Sequence, residues 1–398
     1  MTGVSASTAA LDEHYIAHTY ARVPLEIVSG HGSVAIGADG REYIDLGTGI
    51  AVNAFGMSDG EWLAAVNAQL SAVAHTSNLY YTAPGPRLAQ MLCERTGMAR
   101  VFFGNSGAEA NEAAIKVARK YAADKYGSDP TTELPRRHTI LTLDNSFHGR
   151  TITTLAATGQ PHYHELFQPL TLGFVQAPAG NLAAIAAAHE RTPLAAVMIE
   201  IVQGEGGVIP LEPEFVRALR EWCTETGTLL IVDEVQTGNG RTGALYAYQN
   251  YGIMPDIFTT AKGLGGGLPI GAAVMSEALK DVLGPGDHGS TFGANPVSCA
   301  GALSILSRID DDLLADVRRK AELVRGALEG ADGIVSVSGM GLMIGIETVK
   351  PASEVVTACR EAGVLVLTAK DRVRLLPALN ISDELLAQAL DALKAACK

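Results

Sequence analysis

One lysine, Lys262, lies where a short apolar, strand-like run meets the glycine-rich turn 263–267. An ammonium group at the end of a buried strand is unfavourable unless it is paired or neutralised. A covalent bond that consumes the amine removes this penalty, and a Schiff base with the aldehyde of pyridoxal phosphate is the usual example. The sequence therefore predicts that Lys262 attaches such a cofactor. A structural or phosphate-binding lysine stays open, although the turn matches neither GxGxxG nor the GK[ST] ending of a P-loop.

A carboxylate, Asp233, ends a second apolar run and is followed by Glu234, Val235 and Gln236. An opposite charge within a few ångströms moves a pKa by roughly 1–3 units, so Asp233 could keep a pyridine nitrogen protonated. The alternative is a strand-end acid that accepts hydrogen bonds from nearby N–H groups. Only the presence of Lys262 favours the cofactor interpretation.

The segment 105–111, NSGAEAN, follows an apolar run and opens an amphipathic helix. Its free N–H groups, small hydroxyl and helix N-terminus could bind a phosphate. Ser106 and Glu109 could instead form a capping box, and the two interpretations are about equally supported. A second hydroxyl turn, Ser290-Thr291, is a weaker phosphate candidate.

The segment 147–151, FHGRT, combines an aromatic ring with an arginine. Phe147 could stack on a flat cofactor, and Arg150 could bind a substrate carboxylate through two hydrogen bonds. The ordinary alternatives are a core phenylalanine and a surface ion pair. His148 is expected to be a loop histidine and not a catalyst.

Strand-like and helix-like patterns alternate through the middle of the chain and predict an α/β fold with a mainly parallel sheet. Polar residues directly follow most of the apolar runs. Because ligands bind at the carboxyl ends of parallel strands, these residues are expected to share one site. The predicted strands are 101–103, 139–143, 195–199, 229–232, 257–260 and 271–275, and the predicted helices are 108–121, 182–189 and 213–226.

The pattern changes after about residue 296, where two helices, four short strands (334–337, 342–346, 365–367 and 373–376) and a last helix opening at Ser382 are expected. This predicts a smaller α+β domain, and the hairpin-like start at 33–45 is expected to pack with it. The expected division is a large domain at 61–287 and a small one formed by 1–60 and 288–398.

The composition of the chain argues against some classes of binding partner and favours one cellular compartment. The 398 residues carry a net charge of −13, which argues against nucleic acid and anionic membranes. The five cysteines are scattered, which suits reduced thiols in the cytoplasm, and no metal site is expected. Neither a signal peptide nor a membrane-spanning stretch is expected.

Together these segments resemble the class III pyridoxal-phosphate aminotransferases over about residues 20–381. The resemblance is carried by seven strings in the family's order: NSGAEANEAAIK, FHGRT, QGEGGV, DEVQTGNGRTG, AKGLGGGLPIGA, HGSTFGANP and RLLPALNI. It implies the fold type I of this family, with a seven-stranded sheet, pyridoxal 5'-phosphate as cofactor, and a homodimer with shared active sites.

The resemblance also implies a role for each matching residue. Lys262 forms the Schiff base, Asp233 holds the pyridine nitrogen, and Gln236 approaches the phenolic oxygen of the ring. Glu205 and Arg374 resemble a switchable pair, in which the glutamate masks the arginine until a dicarboxylate needs it. The resemblance further implies that the cofactor is contacted by Ser106, Gly107, Ala108, Phe147, Glu234 and Val235, and by Thr291 of the neighbouring subunit. It implies that Arg150 and Ser290 contact the substrate.

The chain is most similar to the branch of the family that uses N2-acetyl-L-ornithine, as judged from FHGRT, QGEGGV and HGSTF. This similarity implies that the δ-amino group of N2-acetyl-L-ornithine is transferred to 2-oxoglutarate, with glutamate as a product. Ornithine, succinylornithine, 4-aminobutyrate and aminoadipate-type donors, or an aminomutase, stay open, as does a nucleotide-binding or non-catalytic protein of the same fold. One departure, Gly56-Met57-Ser58-Asp59-Gly60 in place of a GHxHP-like stretch, leaves the donor preference less certain.

Overall fold

The computed structural model describes residues 7–398, which form twelve α-helices, four short 3-10 helices and seventeen strands. The helices are α1 (Thr8–Tyr15), α2 (Thr48–Ala51), α3 (Gly60–Ala72), α4 (Pro84–Thr96), α5 (Gly107–Tyr126), α6 (Ile152–Ala157), α7 (Leu182–Arg191), α8 (Pro213–Thr226), α9 (Pro296–Ser307), α10 (Asp311–Leu328), α11 (Ala352–Glu361) and α12 (Asp383–Cys397). The strands are β1 (Ile27–His31), β2 (Val34–Gly37), β3 (Glu42–Asp45), β4 (Arg100–Gly104), β5 (Thr139–Leu143), β6 (Phe174–Ala177), β7 (Leu194–Ile199), β8 (Val202–Gln203), β9 (Ile209–Pro210), β10 (Leu229–Asp233), β11 (Ile257–Thr260), β12 (Gly271–Met275), β13 (Ile334–Met340), β14 (Met343–Thr348), β15 (Val364–Leu365), β16 (Leu367–Ala369) and β17 (Arg372–Leu375).

A seven-stranded sheet forms the centre of the molecule, in the order β4-β12-β11-β10-β7-β5-β6. All neighbouring pairs are parallel except those of β12, which runs antiparallel to both β4 and β11. The predicted α/β fold with a mainly parallel seven-stranded sheet is therefore confirmed. Six of the strands end at one edge of the sheet, where β12 begins.

The central strands are buried on both faces. In β10, Ile231 packs with the apolar side of α5, whereas Leu230 and Val232 belong to the core on the other face. The same alternation holds in β7, where Met198 faces α5 and Val197 does not. Side chains of a strand alternate between faces, so a continuous apolar run produces two cores, one on each side of the sheet.

The C-terminal region forms a smaller unit around an antiparallel sheet in the order β13-β14-β17-β16. The N-terminal strands join it, because β15 pairs in parallel with β3 in a second four-stranded sheet, β1-β2-β3-β15. Helix α12 begins as expected, with Ser382 Oγ accepting a hydrogen bond from Leu385 N–H. The boundaries at 60/61 and 287/288 stay predictions.

The structure differs from the expected elements at several places. One strand expected at 365–367 is divided between β15 and β16, which belong to different sheets. Strand β6, the seventh of the central sheet, gave no clear pattern because it is a short edge strand with only one buried residue, Ala177. Helices α3, α4 and α11 were also not among the expected elements. Among residues 7–398, no helix has both the length and the apolar character needed to cross a bilayer.

Candidate active site

A cavity of about 470 Å³ opens at the edge where the parallel strands of the central sheet end. The residues that follow β4, β5, β7, β10 and β11 converge on it, as the sequence predicted. Its walls include Asn105, Ser106, Gly107, Ala108, Asn111, Phe147, His148, Arg150, Glu200, Asp233, Val235, Gln236 and Lys262.

Asp233 lies in the floor of this cavity and is only 4% exposed. Its Oδ2 accepts hydrogen bonds from Asn111 Nδ2 and from His148 Nδ1, both at 2.8 Å, and its Oδ1 accepts from Val235 N–H at 3.0 Å. Asn111 is fixed in turn, because its Oδ1 accepts from the Thr259 hydroxyl at 2.7 Å. The network holds a carboxylate at a defined position in a largely water-free floor.

Lys262 begins a short 3-10 turn, Lys262–Leu264, directly after β11 and lines the same cavity. Its backbone has φ +47°, in the left-handed region that residues with a Cβ rarely occupy. Burial lowers the pKa of the Lys262 amine, and Glu205 only partly offsets this. No hydrogen bond to Lys262 Nζ is formed by any side chain or carbonyl of residues 7–398. The amine is therefore available for chemistry.

The N-terminus of α5 supplies the polar end of the cavity. Ser106 is its N-cap and accepts from Glu109 N–H, while Glu109 accepts from Ser106 Oγ and Asn105 N–H. Within the described chain, the N–H groups of Gly107 and Ala108 have no partner. A Cβ at Gly107 would lie 2.7 Å from Val235 Cγ1, so only glycine allows this close packing. Capping therefore leaves the N–H groups of Gly107 and Ala108 without a partner among residues 7–398, where an anion would meet them.

Phe147 and Arg150 line the cavity from the loop after β5. The backbone N–H of Phe147 donates to Glu200 Oε1 at 2.8 Å, which fixes the start of the loop. The Arg150 guanidinium forms no ion pair with any residue in 7–398. It lies instead over the ring of Tyr163, at 4.2 Å from the centroid. The surface ion pair considered from the sequence is thus not found.

Glu205 and Arg374 form a close ion pair beside the cavity. Arg374 Nη1 donates to Glu205 Oε1 at 2.6 Å and to Gln236 Oε1 at 3.1 Å. Burial by itself would raise the pKa of Glu205. The charge and hydrogen bond of the Arg374 guanidinium have the larger combined effect, and the pKa of Glu205 is lowered. Gln236 connects this pair to the cavity wall, because its side chain lines the cavity while both charged residues lie behind it.

Five of the predicted site residues do not line the cavity: Glu205 and Arg374, which lie behind Gln236, and Glu234, Ser290 and Thr291. Glu234 alternates to the opposite side of the chain from Asp233, and its carboxylate accepts from Thr237 Oγ1 and from Tyr248 N–H. Ser290 Oγ accepts from Asn105 Nδ2 at 3.0 Å, outside the cavity, and Thr291 is exposed. An exposed Thr291 is compatible with its predicted place in a neighbouring subunit's site.

Sequence reasoning gave no role to three residues that build the site. His148 and Asn111 donate to Asp233, and Glu200 joins two loops by accepting from Phe147 N–H and, at 3.2 Å, from Gly204 N–H. Burial raises the pKa of Glu200 to about 7, against the opposing effect of His148. From its position directly after β7, Glu200 was expected at the shared site, but no function was assigned to it.

Residues 15–397 match the family described as Aminotransferase class-III. The match covers nearly the whole chain, and the chain therefore belongs to the class III aminotransferases.

Individual relatives agree with this assignment. The chain is 50% identical to an acetylornithine aminotransferase of Haemophilus ducreyi, with 94% of each chain covered, and 43% identical to one of Caldanaerobacter subterraneus, with 96% and 97% covered. Among solved structures, it is similar to the ornithine aminotransferase of Toxoplasma gondii (TM-score 0.92, 32% identity, 98% and 94% covered). It is also similar to the N-acetylornithine aminotransferase of Stenotrophomonas maltophilia (TM-score 0.82, 34% identity, 97% of each covered).

Proposed function

We propose that this aminotransferase moves the δ-amino group of N2-acetyl-L-ornithine to 2-oxoglutarate, giving N-acetyl-L-glutamate 5-semialdehyde and L-glutamate, a step of arginine biosynthesis. The observation that carries the proposal is one cavity lined by both the Lys262 amine and the Arg150 guanidinium, neither of which has a hydrogen-bond or ion-pair partner among residues 7–398. A donor with an amine at one end and a carboxylate at the other would place the amine near Lys262 and the carboxylate at Arg150. The names of the relatives at 43–50% identity support the same donor.

The residues of the cavity fit pyridoxal 5'-phosphate as the cofactor. The free N–H groups of Gly107 and Ala108 suit its phosphate, the Asp233 carboxylate suits its ring nitrogen, and Phe147 offers an aromatic face. When bound, this cofactor supplies an aldehyde for the lysine and a ring that accepts electrons. The Toxoplasma gondii ornithine aminotransferase is described with pyridoxal phosphate at its active site.

Lys262 has two roles in this proposal. Its Nζ would hold the cofactor through the cofactor's aldehyde, and as a free amine Nζ would accept the proton that leaves the terminal carbon of the donor. A lowered pKa suits both roles, because a larger fraction of the amine is neutral near pH 7. A positioned general base contributes typically 10²–10⁴-fold to a rate.

Arg150 would orient the donor by its α-carboxylate, which places the terminal carbon and not the α-carbon near Lys262. Arg374 would serve the second half of the reaction, when 2-oxoglutarate brings a second carboxylate. Until then Glu205 neutralises Arg374, so a donor with a single carboxylate meets no uncompensated charge there.

The proposal is tested with a donor panel on the purified protein with 2-oxoglutarate: N2-acetyl-L-ornithine, N2-succinyl-L-ornithine, L-ornithine and 4-aminobutyrate. The highest kcat/KM is expected with N2-acetyl-L-ornithine. Arg150→Ala is expected to reduce kcat/KM for this donor far more than for pentylamine, which lacks a carboxylate. Equal losses for both amines would contradict the role of Arg150.

Ornithine is the second candidate donor, because the structural similarity to an ornithine aminotransferase has a TM-score of 0.92. In that case the donor panel would give a higher kcat/KM for L-ornithine than for N2-acetyl-L-ornithine.

We also propose a cytoplasmic homodimer in which Thr291 completes the partner's site. Exposed apolar side chains near this segment support an interface: Leu79 and Tyr81 are 86% and 101% exposed, and Phe292 is 58% exposed. Five unpaired cysteines suit the cytoplasm. Mixing Lys262→Ala with Thr291→Ala subunits should give mixed dimers with one intact site, and activity above that of either variant alone is the expected result.

A further inference from the structure

The aromatic ring of Tyr163 contacts two residues of the candidate site at once. The Arg150 guanidinium carbon lies 4.2 Å from the centroid of this ring, and the Phe147 ring meets it edge-on at 5.9 Å. Phe147 is farther from Arg150, at 5.5 Å. Tyr163 is therefore the nearer of the two aromatic residues that hold the arginine.

The backbone around Tyr163 is fixed on both sides. Tyr163 ends a short 3-10 turn, Pro161–Tyr163, and its N–H donates to Gln160 O at 3.1 Å. The Gln160 side chain donates to Ser146 O at 3.1 Å. On the other side, His164 Nε2 lies 2.7 Å from Thr158 O. The backbone at Tyr163 is thus connected to the loop after β5 and to the end of α6, the two segments that flank Arg150.

A cation over an aromatic face is attracted without using its N–H donors. Within residues 7–398, the Arg150 side chain makes neither a hydrogen bond nor an ion pair. A carboxylate that arrives from solution therefore meets a guanidinium that is already held in place and has all five N–H donors available. An arginine held by a protein carboxylate would first have to break that pair.

We propose that Tyr163 is a positioning residue for donor binding, which holds the Arg150 guanidinium at the cavity wall so that it can bind the α-carboxylate of the amino donor. This rests on the proposed function, since it assumes that Arg150 binds a carboxylate. The ring face is the active part, and the hydroxyl, which has no hydrogen-bond partner in the described chain, is not needed.

The test compares Tyr163→Leu, which removes the ring, with Tyr163→Phe, which keeps it. For N2-acetyl-L-ornithine, Tyr163→Leu should raise KM about twofold to fivefold, the range of a cation–π contact at an exposed site, with kcat nearly unchanged. The inhibition constant of N2-acetyl-L-norvaline, which has the carboxylate but no amine, should rise by the same factor. The rate with pentylamine should stay the same, and Tyr163→Phe should behave as the unmodified enzyme.

Two further variants separate positioning from folding. Leu166→Ala, at an 85% exposed position of the same loop, should leave every constant unchanged. Tyr163→Met, an unbranched side chain without a π face, replaces Tyr163→Leu if the latter does not fold by circular dichroism, and the same KM change is then expected of it.

Several outcomes would overturn the inference. They are an unchanged KM and inhibition constant in the ring-less variant, a loss in kcat alone, or an equal loss in Tyr163→Phe. An unmodified enzyme without transaminase activity on the panel would instead overturn the proposed function.

Discussion

His148 Nδ1 and Asp233 Oδ2 lie 2.8 Å apart beneath the cavity, and both side chains are almost completely buried. The histidine supplies one of three hydrogen bonds to this carboxylate, beside those from Asn111 and Val235. Each hydrogen bond restricts the rotation of the carboxylate, so His148 helps to hold Asp233 in one orientation beneath the cavity.

Replacing His148 by leucine should lower kcat without abolishing activity. Loss of one hydrogen bond to a buried charged group corresponds to about 1.5–3 kcal/mol, or roughly tenfold to hundredfold in rate if the bond positions the Asp233 carboxylate in the transition state. Steady-state kinetics with N2-acetyl-L-ornithine measures this, and His31→Leu, at an exposed position of β1, is the control. A kcat equal to that of the control would show that Asp233 does not depend on His148.

Lys262→Ala should abolish multiple-turnover transamination, because no other amine of residues 7–398 lines the cavity. Borohydride reduction of the cofactor-loaded enzyme, followed by mass spectrometry of peptides, should place the modification on Lys262. Lys280→Ala, on the surface, should retain full activity and the same modified peptide. Sustained turnover by Lys262→Ala would exclude the central role given to this lysine.

Glu205→Gln should strengthen the binding of 2-oxoglutarate. It removes the partner of an almost buried Arg374, which should destabilise the protein by about 1–3 kcal/mol, less than for a fully buried pair because Glu205 is partly exposed. A carboxylate of 2-oxoglutarate would then compensate Arg374. The rise in Tm on adding 2-oxoglutarate should therefore be larger in the variant, whereas N2-acetyl-L-ornithine should give the same rise in both proteins.

The pH dependence of stability should change in Glu200→Gln. Burial raises the pKa of Glu200 to about 7 from an ordinary value of 4.5. Between these values the folded state binds more protons than the unfolded state, so this residue lowers stability as the pH rises and its effect is constant above about pH 7.

Glutamine does not titrate, and the variant should therefore gain stability relative to the unmodified protein by up to about 3 kcal/mol between pH 4.5 and 8. Urea unfolding at a series of pH values measures the difference. The loss of an acceptor for Gly204 N–H adds an offset that does not depend on pH. A difference that stays constant across this range would show that Glu200 is not a buried, titrating acid.

Much of the fold follows from local patterns. The strand 139–143 was recognised at its observed bounds because five apolar or β-branched residues in sequence fit a strand that is buried on both faces. Strand β6 was missed because an edge strand buries little and carries only a weak pattern. The division of 364–369 into β15 and β16 could not be predicted, since it depends on two sheets that lie far apart in the sequence.

The residue types at strand ends predicted that Ser106, Asp233 and Lys262 share one site, because parallel strands of one sheet end at the same edge, and the resemblance to the family added Phe147 and Arg150. Motif resemblance added the pairing of Glu205 with Arg374, which are separated by 169 residues. Only the tertiary structure decided which side chains contact the site residues. The hydrogen bonds of His148 to Asp233, the free guanidinium of Arg150 and its contact with Tyr163 depend on side-chain directions and distances of a few ångströms. Such directions and distances follow from packing between separate elements, and the local sequence does not encode them.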